Sequence, residues 1–253
     1  MQRPLAHARP LLYMFVDERI ELLNPGRRFV VACVVCGQRS WDRALPAAQR
    51  VGSLRKSRRL QAIAQVLHST NGFAVLTRAD VPGHLAMAGE ADGTEDVPRM
   101  SRMDNLWSQS VLCTVTAALA CLRGASVTAA KIDLFYDPKS LTLNHRNACH
   151  ETLRATLPDI AREDPETHEF LPIPTFHFGR IEQIPKCGGG ARAGALQTGI
   201  TLAHHLCCEC KSLIRGAAPQ RIVVRDHTNA VLSMISKFIG ERGCPTQPKL
   251  AES

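Results

Sequence analysis

Apolar residues run unbroken from Leu11 to Val16 and stop at two acids, Asp17 and Glu18. A run of that length predicts a strand covered on both faces. A second run, Arg28–Gly37, is rich in β-branched residues and predicts another strand. Asn24-Pro25-Gly26 between them is turn chemistry, so the pair reads as an antiparallel hairpin. From Asp42 to His68 the spacing turns helical, with Leu60, Ile63, Ala64 and Leu67 on one face and Gly52 as a possible break. Asn71-Gly72 then turns the chain into a third strand, Phe73–Leu76.

A helix is expected over Asp104–Arg123, with Leu112, Val115, Leu119 and Leu122 on one face and Gly124 as its stop. Val127–Tyr136 reads as a fourth strand, ending at Asp137-Pro138. Asn144–Leu157 reads as a helix closed by Pro158. Leu171–Gly179 is a proline-interrupted strand, best placed at a sheet edge. Helices are expected from Ala193 to Arg215 and from Thr228 to Ile239. This order predicts an α/β fold with a mixed sheet flanked by helices. One domain would cover residues 1–242, with a loop excursion at 80–100 and a flexible tail at 243–253.

Composition adds a partner class. Lys and Arg outnumber Asp and Glu by 31 to 23, a formal charge of +8. A basic balance favours polyanions, of which nucleic acid, DNA or RNA, is the commonest. The ten cysteines are scattered through apolar surroundings rather than spaced as a disulfide scaffold. Leu11–Val16 is too short for a signal-peptide core, and Val111–Leu122 is too short to span a bilayer. The expectation is a soluble cytoplasmic protein with no membrane partner.

The acids carry the candidate chemistry. Side chains alternate along a strand, so Asp17 and Glu18 point to opposite faces unless the strand has already ended. Asp133 and Asp137 share a face if their strand is regular, about 13 Å apart at roughly 3.3 Å per residue. Asp137, at the strand end, is the more accessible. Mg²⁺ and Mn²⁺ prefer oxygen ligands, and two ions about 4 Å apart can activate water and stabilise the leaving oxygen in phosphodiester cleavage. Carboxylates from separate strand ends supply the convergence such ions need. The plainer reading is that acids mark where a strand emerges into water.

The order of these pieces resembles a bacterial family known as domain of unknown function 3800, whose members look like ribonuclease-H-fold proteins. Phe15-Val16-Asp17-Glu18-Arg19 is similar to the family's first strand, which ends Asp-Glu-Ser, with Arg19 in place of the serine. Phe29–Val35 matches its second strand and Ser53-Leu54-Arg55-Lys56-Ser57 its lysine-bearing helical segment. Phe135-Tyr136-Asp137 is the first choice for its later strand-end aspartate, and Asp133 the second. Ala195–Ile200 is nearest to its final helix motif, which puts Ile200 where the family has an aspartate. A second alignment, on Leu202-Ala203, puts His204 there instead.

Helical geometry favours the second register. Leu196, Ile200, Ala203, Cys207, Cys210 and Ile214 form an apolar stripe, beside a polar row of Gln197, Thr201, His204, Cys208 and Lys211. Ile200 therefore reads as core and His204 as the group facing a site. The resemblance implies a ribonuclease-H-like sheet and a metal-dependent nuclease. Asp17, Asp137 and His204 would hold Mg²⁺ or Mn²⁺, with Glu18 and Asp133 as further acids. Arg55, Lys56, Arg58 and Arg59 would hold phosphates. The competing expectation is a catalytically degenerate module that binds nucleic acid or protein.

The stretch HHLCCEC, His204–Cys210, invites a zinc reading through His204 with Cys208 or Cys207 with Cys210, but no second cluster completes four ligands. Gly188–Gly190 lacks the lysine of a phosphate-binding loop. Asp226 reads as a helix cap.

Overall fold

A computed structural model of the chain describes residues 9–83, 102–127, 130–137, 143–163, 175–184, 190–216 and 218–233. The strands are β1 Leu11–Leu23, β2 Gly26–Gly37, β3 Phe73–Val81, β4 Ala130–Tyr136, β5 Phe176–Gln183 and β6 Ile222–Asp226. The helices are α1 Gln38–Val51, α2 Lys56–Ser69, α3 Arg102–Gly124, α4 Leu143–Arg162, α5 Ala191–Cys208 and α6 Cys210–Arg215. The strands form one mixed sheet in the order β5-β4-β1-β2-β3-β6. β1, β2 and β3 are an antiparallel meander; β4 runs parallel to β1, β5 to β4 and β6 to β3.

β1 is central, and its alternation builds two cores. Tyr13 and Phe15 join Trp41 and Val51 of α1, Ile63 and Leu67 of α2, and Ile200 and Leu206 of α5 on one face. Met14 and Val16 join Trp107 and Val115 of α3 and Leu153 of α4 on the other. Covering on both faces is why the first run is uniformly apolar.

Several boundaries depart from the sequence expectation. β1 does not stop at Val16 but continues to Leu23, because residues 17–23 pair with β2 as far as Leu23↔Gly26. β3 likewise continues to Val81, so Asp80 lies in a strand rather than at the start of a loop. Residues 84–100 of that expected excursion, and the tail from 243, lie outside the described residues. The Asp42–His68 helix divides at Gly52 into α1 and α2. α4 runs through Pro158, where Leu157 and Ala161 are both buried in the core and offset the lost backbone bond. β5 lies at the sheet edge, as its prolines require, but its described span begins at Phe176. β6, Ile-Val-Val-Arg-Asp, was not anticipated from the sequence.

Within α3, Asn105–Gly124 is long and apolar enough to cross a membrane by length and composition, contrary to the shorter run read from the sequence. Its most apolar window is 67% buried inside the fold, which is the signature of a core helix.

Candidate functional site

The ladder between β1 and β4 ends at Val16↔Tyr136, whereas the ladder between β1 and β2 continues past it. Asp17 is therefore the first β1 residue beyond the end of β4. It sits in a notch of the sheet rather than at the end of its own strand. Its side chain is 0% exposed, so it does not mark an emergence into solvent. Glu18, 7% exposed, is also buried, and alternation sends it to the opposite face with Met14 and Val16.

α5 crosses the notch. Its stripe of Leu196, Ile200, Ala203 and Cys207 is buried against β1 and β2, while Gln197, Thr201, His204 and Cys208 stay partly exposed beside it. Ile200 is thus core, as its helical phase indicates. The Cys207 thiol lies 3.4 Å from the Asp17 carbonyl oxygen and 3.6 Å from that of Val30, which holds the helix onto both strands. One turn earlier on the helix, His204 Nδ1 lies 2.9 Å from Asp17 Oδ2. Nδ1 is buried but is not aligned as a hydrogen-bond donor to that oxygen. On the other edge of the ring, Nε2 lies 3.6 Å from Cys208 Sγ. The His204 side chain is 41% exposed, so the dyad joins an interior carboxylate to an accessible imidazole.

Asp137 is one residue past Tyr136, as Asp17 is one past Val16, so the two aspartates occupy equivalent positions on adjacent parallel strands. Asp137 is 4% exposed. Asp133 lies on the same strand four residues earlier and is taken by Arg180, whose Nε donates to Asp133 Oδ2 at 2.8 Å and whose backbone N–H donates to Oδ1 at 3.1 Å. That pairing makes Asp133 a structural acid of the β4–β5 edge. The sequence did not reveal it, because Arg180 meets Asp133 through a register shift between the strands.

The basic residues sit at the start of α2. Arg55, Lys56 and Arg58 are exposed. Arg59 is partly buried and donates to the Leu54 carbonyl at 2.9 Å, so it closes the turn between α1 and α2. No acid occupies the first turn of α2. Cations there oppose the helix dipole, an arrangement that an anion would relieve. The tract is close to the dyad: Gly52, in the turn, faces His205 Nε2, and the His204 and His205 rings are 6.0 Å apart. Burial, then Arg59 and His204, push the His205 imidazole below the usual range.

Among the described residues, no group of three or more His, Cys, Asp or Glu side chains is gathered as a metal site. The zinc pairings fail on geometry. His204 presents opposite ring edges to Asp17 and Cys208, and Cys33 and Cys36 lie in different cores. Asp226 caps the following helical residues, accepting from the Thr228 backbone N–H at 3.0 Å. In comparisons of the sequence, no protein-family model and no curated protein matches this chain.

Proposed function

We propose that this chain is a divalent-metal-dependent nuclease of ribonuclease-H-like architecture that cleaves phosphodiester bonds. The observation that carries the reading is the meeting of Asp17, buried in the notch where β4 ends, with His204 of α5 at 2.9 Å. Support also comes from the sheet order, in which an antiparallel meander is extended by strands parallel to the first. The resemblance to domain of unknown function 3800 leads to the same architecture.

The donor set suits a hard cation. Adjacent ligands of an octahedral ion with bonds of 2.0–2.1 Å lie about 3 Å apart, close to the spacing of Asp17 Oδ2 and His204 Nδ1. Mg²⁺ commonly takes one or two protein carboxylates and fills its remaining positions with water and substrate phosphate oxygens. Asp17, Asp137 and His204 would hold the metal, and no larger protein cage is required. Mn²⁺ accepts the imidazole more readily. Such a cation supplies positive charge to the phosphate under attack and lowers the pKa of water.

The chain's own residues do the rest. Burial of Asp17 beneath α5 keeps its carboxylate in one orientation. The exposed edge of His204 faces the solvent from which substrate arrives. Arg55, Lys56 and Arg58 attract the phosphate backbone without reading sequence. Glu18, on the opposite face, supports β1 rather than the reacting phosphate.

Isothermal titration with Mn²⁺ tests the reading. Millimolar or tighter binding that Asp17→Asn abolishes, together with Mn²⁺-dependent cleavage of DNA or RNA, supports the nuclease. Binding of nucleic acid without metal binding or cleavage supports the second reading, a catalytically degenerate binding module. That alternative is favoured by Ile200 at the first aligned acid position and by the absence of a three-donor group among the described residues.

A further inference from the structure

We propose that Cys208 is a peroxide-sensitive modification site whose oxidation withdraws His204 from Asp17. The observation behind it is a line of three side chains: the Asp17 carboxylate at 2.9 Å from one edge of the His204 ring and the Cys208 thiol at 3.6 Å from the other. An imidazole held by a buried carboxylate on one side and touching a thiol on the other is the arrangement in which sulfur becomes a nucleophile.

Exposure singles out the same residue. Among the described free cysteines, Cys33, Cys36, Cys113, Cys149, Cys207 and Cys210 are buried, and Cys121 and Cys208 are partly exposed. Burial pushes the thiols of Cys33, Cys36, Cys113, Cys121, Cys207 and Cys210 upward, which keeps them poor nucleophiles. Cys208 combines access with a histidine neighbour.

The oxidant is a hydroperoxide. The sulfur electron pair attacks one peroxide oxygen, an S–O bond forms and the O–O bond breaks. For hydrogen peroxide the thiol proton leaves with the departing oxygen as water. Sulfur is oxidised by two electrons and the peroxide is reduced by two, leaving a sulfenic acid. That product places an oxygen and a hydrogen-bond donor in a gap that previously held only the thiol contact. The imidazole is rigid, so displacing Nε2 also moves Nδ1 away from Asp17. The consequence for metal binding rests on the nuclease reading; the modification and the ring displacement do not.

The test uses the full chain treated with hydrogen peroxide and trapped with dimedone, followed by peptide mapping. Cys208 is expected to be trapped ahead of the seven other described cysteines. The His204 ring resonances are expected to shift in the wild type and to stay fixed in Cys208→Ser under the same treatment. Trapping of Cys208 no faster than Cys121, or trapping with unmoved His204 resonances, overturns the proposal. A Mn²⁺ titration then reads the consequence, with affinity falling about 10- to 100-fold on oxidation, the usual effect of losing a partner that orients a ligand. If the reduced protein binds no Mn²⁺, the nuclease reading fails, while trapping and resonances still decide the modification site.

Discussion

Gly199 packs against the ring of Phe15 so closely that even a methyl group at position 199 would collide with it. Phe15 is fully buried at the centre of β1, two residues before Asp17, and Gly199 is five residues before His204 on α5. The missing side chain thus sets the close approach of helix and sheet on which the Asp17–His204 contact depends. Gly199→Ala is expected to destabilise the fold by about 1–3 kcal/mol, the usual cost of overpacking a core. It should also weaken Mn²⁺ binding. Urea unfolding and isothermal titration read the two effects separately.

Removing Arg180 strands a buried charge. Arg180→Met leaves Asp133, 2% exposed, without its guanidinium partner and is expected to cost about 3 kcal/mol. Asp133→Leu combined with Arg180→Met should recover most of that loss, because neither member then remains uncompensated. A double-mutant cycle by urea unfolding measures the coupling. Strong coupling agrees with a structural Asp133; loss of cleavage without loss of stability would restore it as a site acid.

Stability is expected to fall on mild acidification. Burial and nearby cations lower the imidazoles of both His205 and His227 in the folded chain. The unfolded chain then binds more protons once the pH drops below about 6.5, the ordinary histidine value, and folding stability declines from there towards the folded values. Asp80 behaves separately. Its hydrogen bond with Arg28 lowers it, so its contribution is present above the usual carboxylate range and is lost only at more acidic pH. Denaturant midpoints followed from pH 8 to 5 should slope downward, and His205→Gln should flatten part of that slope.

Reversing charge at the start of α2 tests the phosphate role. Lys56→Glu with Arg58→Glu should weaken nucleic-acid binding at every sequence alike. The salt dependence should lose about 0.7–0.9 log units per decade of salt for each phosphate contact removed. Both side chains are exposed, so thermal stability should stay within about 0.5 kcal/mol. Unchanged binding would assign these cations to an ordinary solvated face.

Periodicity alone revealed the hairpin, the helical phase of α5 and the division of Ile200 from His204. These depend on which neighbours along the chain share a face, and that is a local property. The extent of β1 was not legible. Residues 17–23 are polar and mixed, and they remain strand only because β2 supplies hydrogen-bond partners for them. β6 escaped notice for the same reason: five residues acquire strand geometry by pairing with β3.

By itself, then, the sequence determined an α/β succession, a basic chain, and an acid, a second acid and a histidine in an order that resembles a nuclease family. Only the tertiary structure decided that Asp17 lies beside the end of β4, that Arg180 takes Asp133, and that His204 stands between Asp17 and Cys208. Each of those facts joins residues far apart in the chain through strand register and helix packing. Alternation and helical phase name the face a side chain occupies, but not the neighbour it meets there.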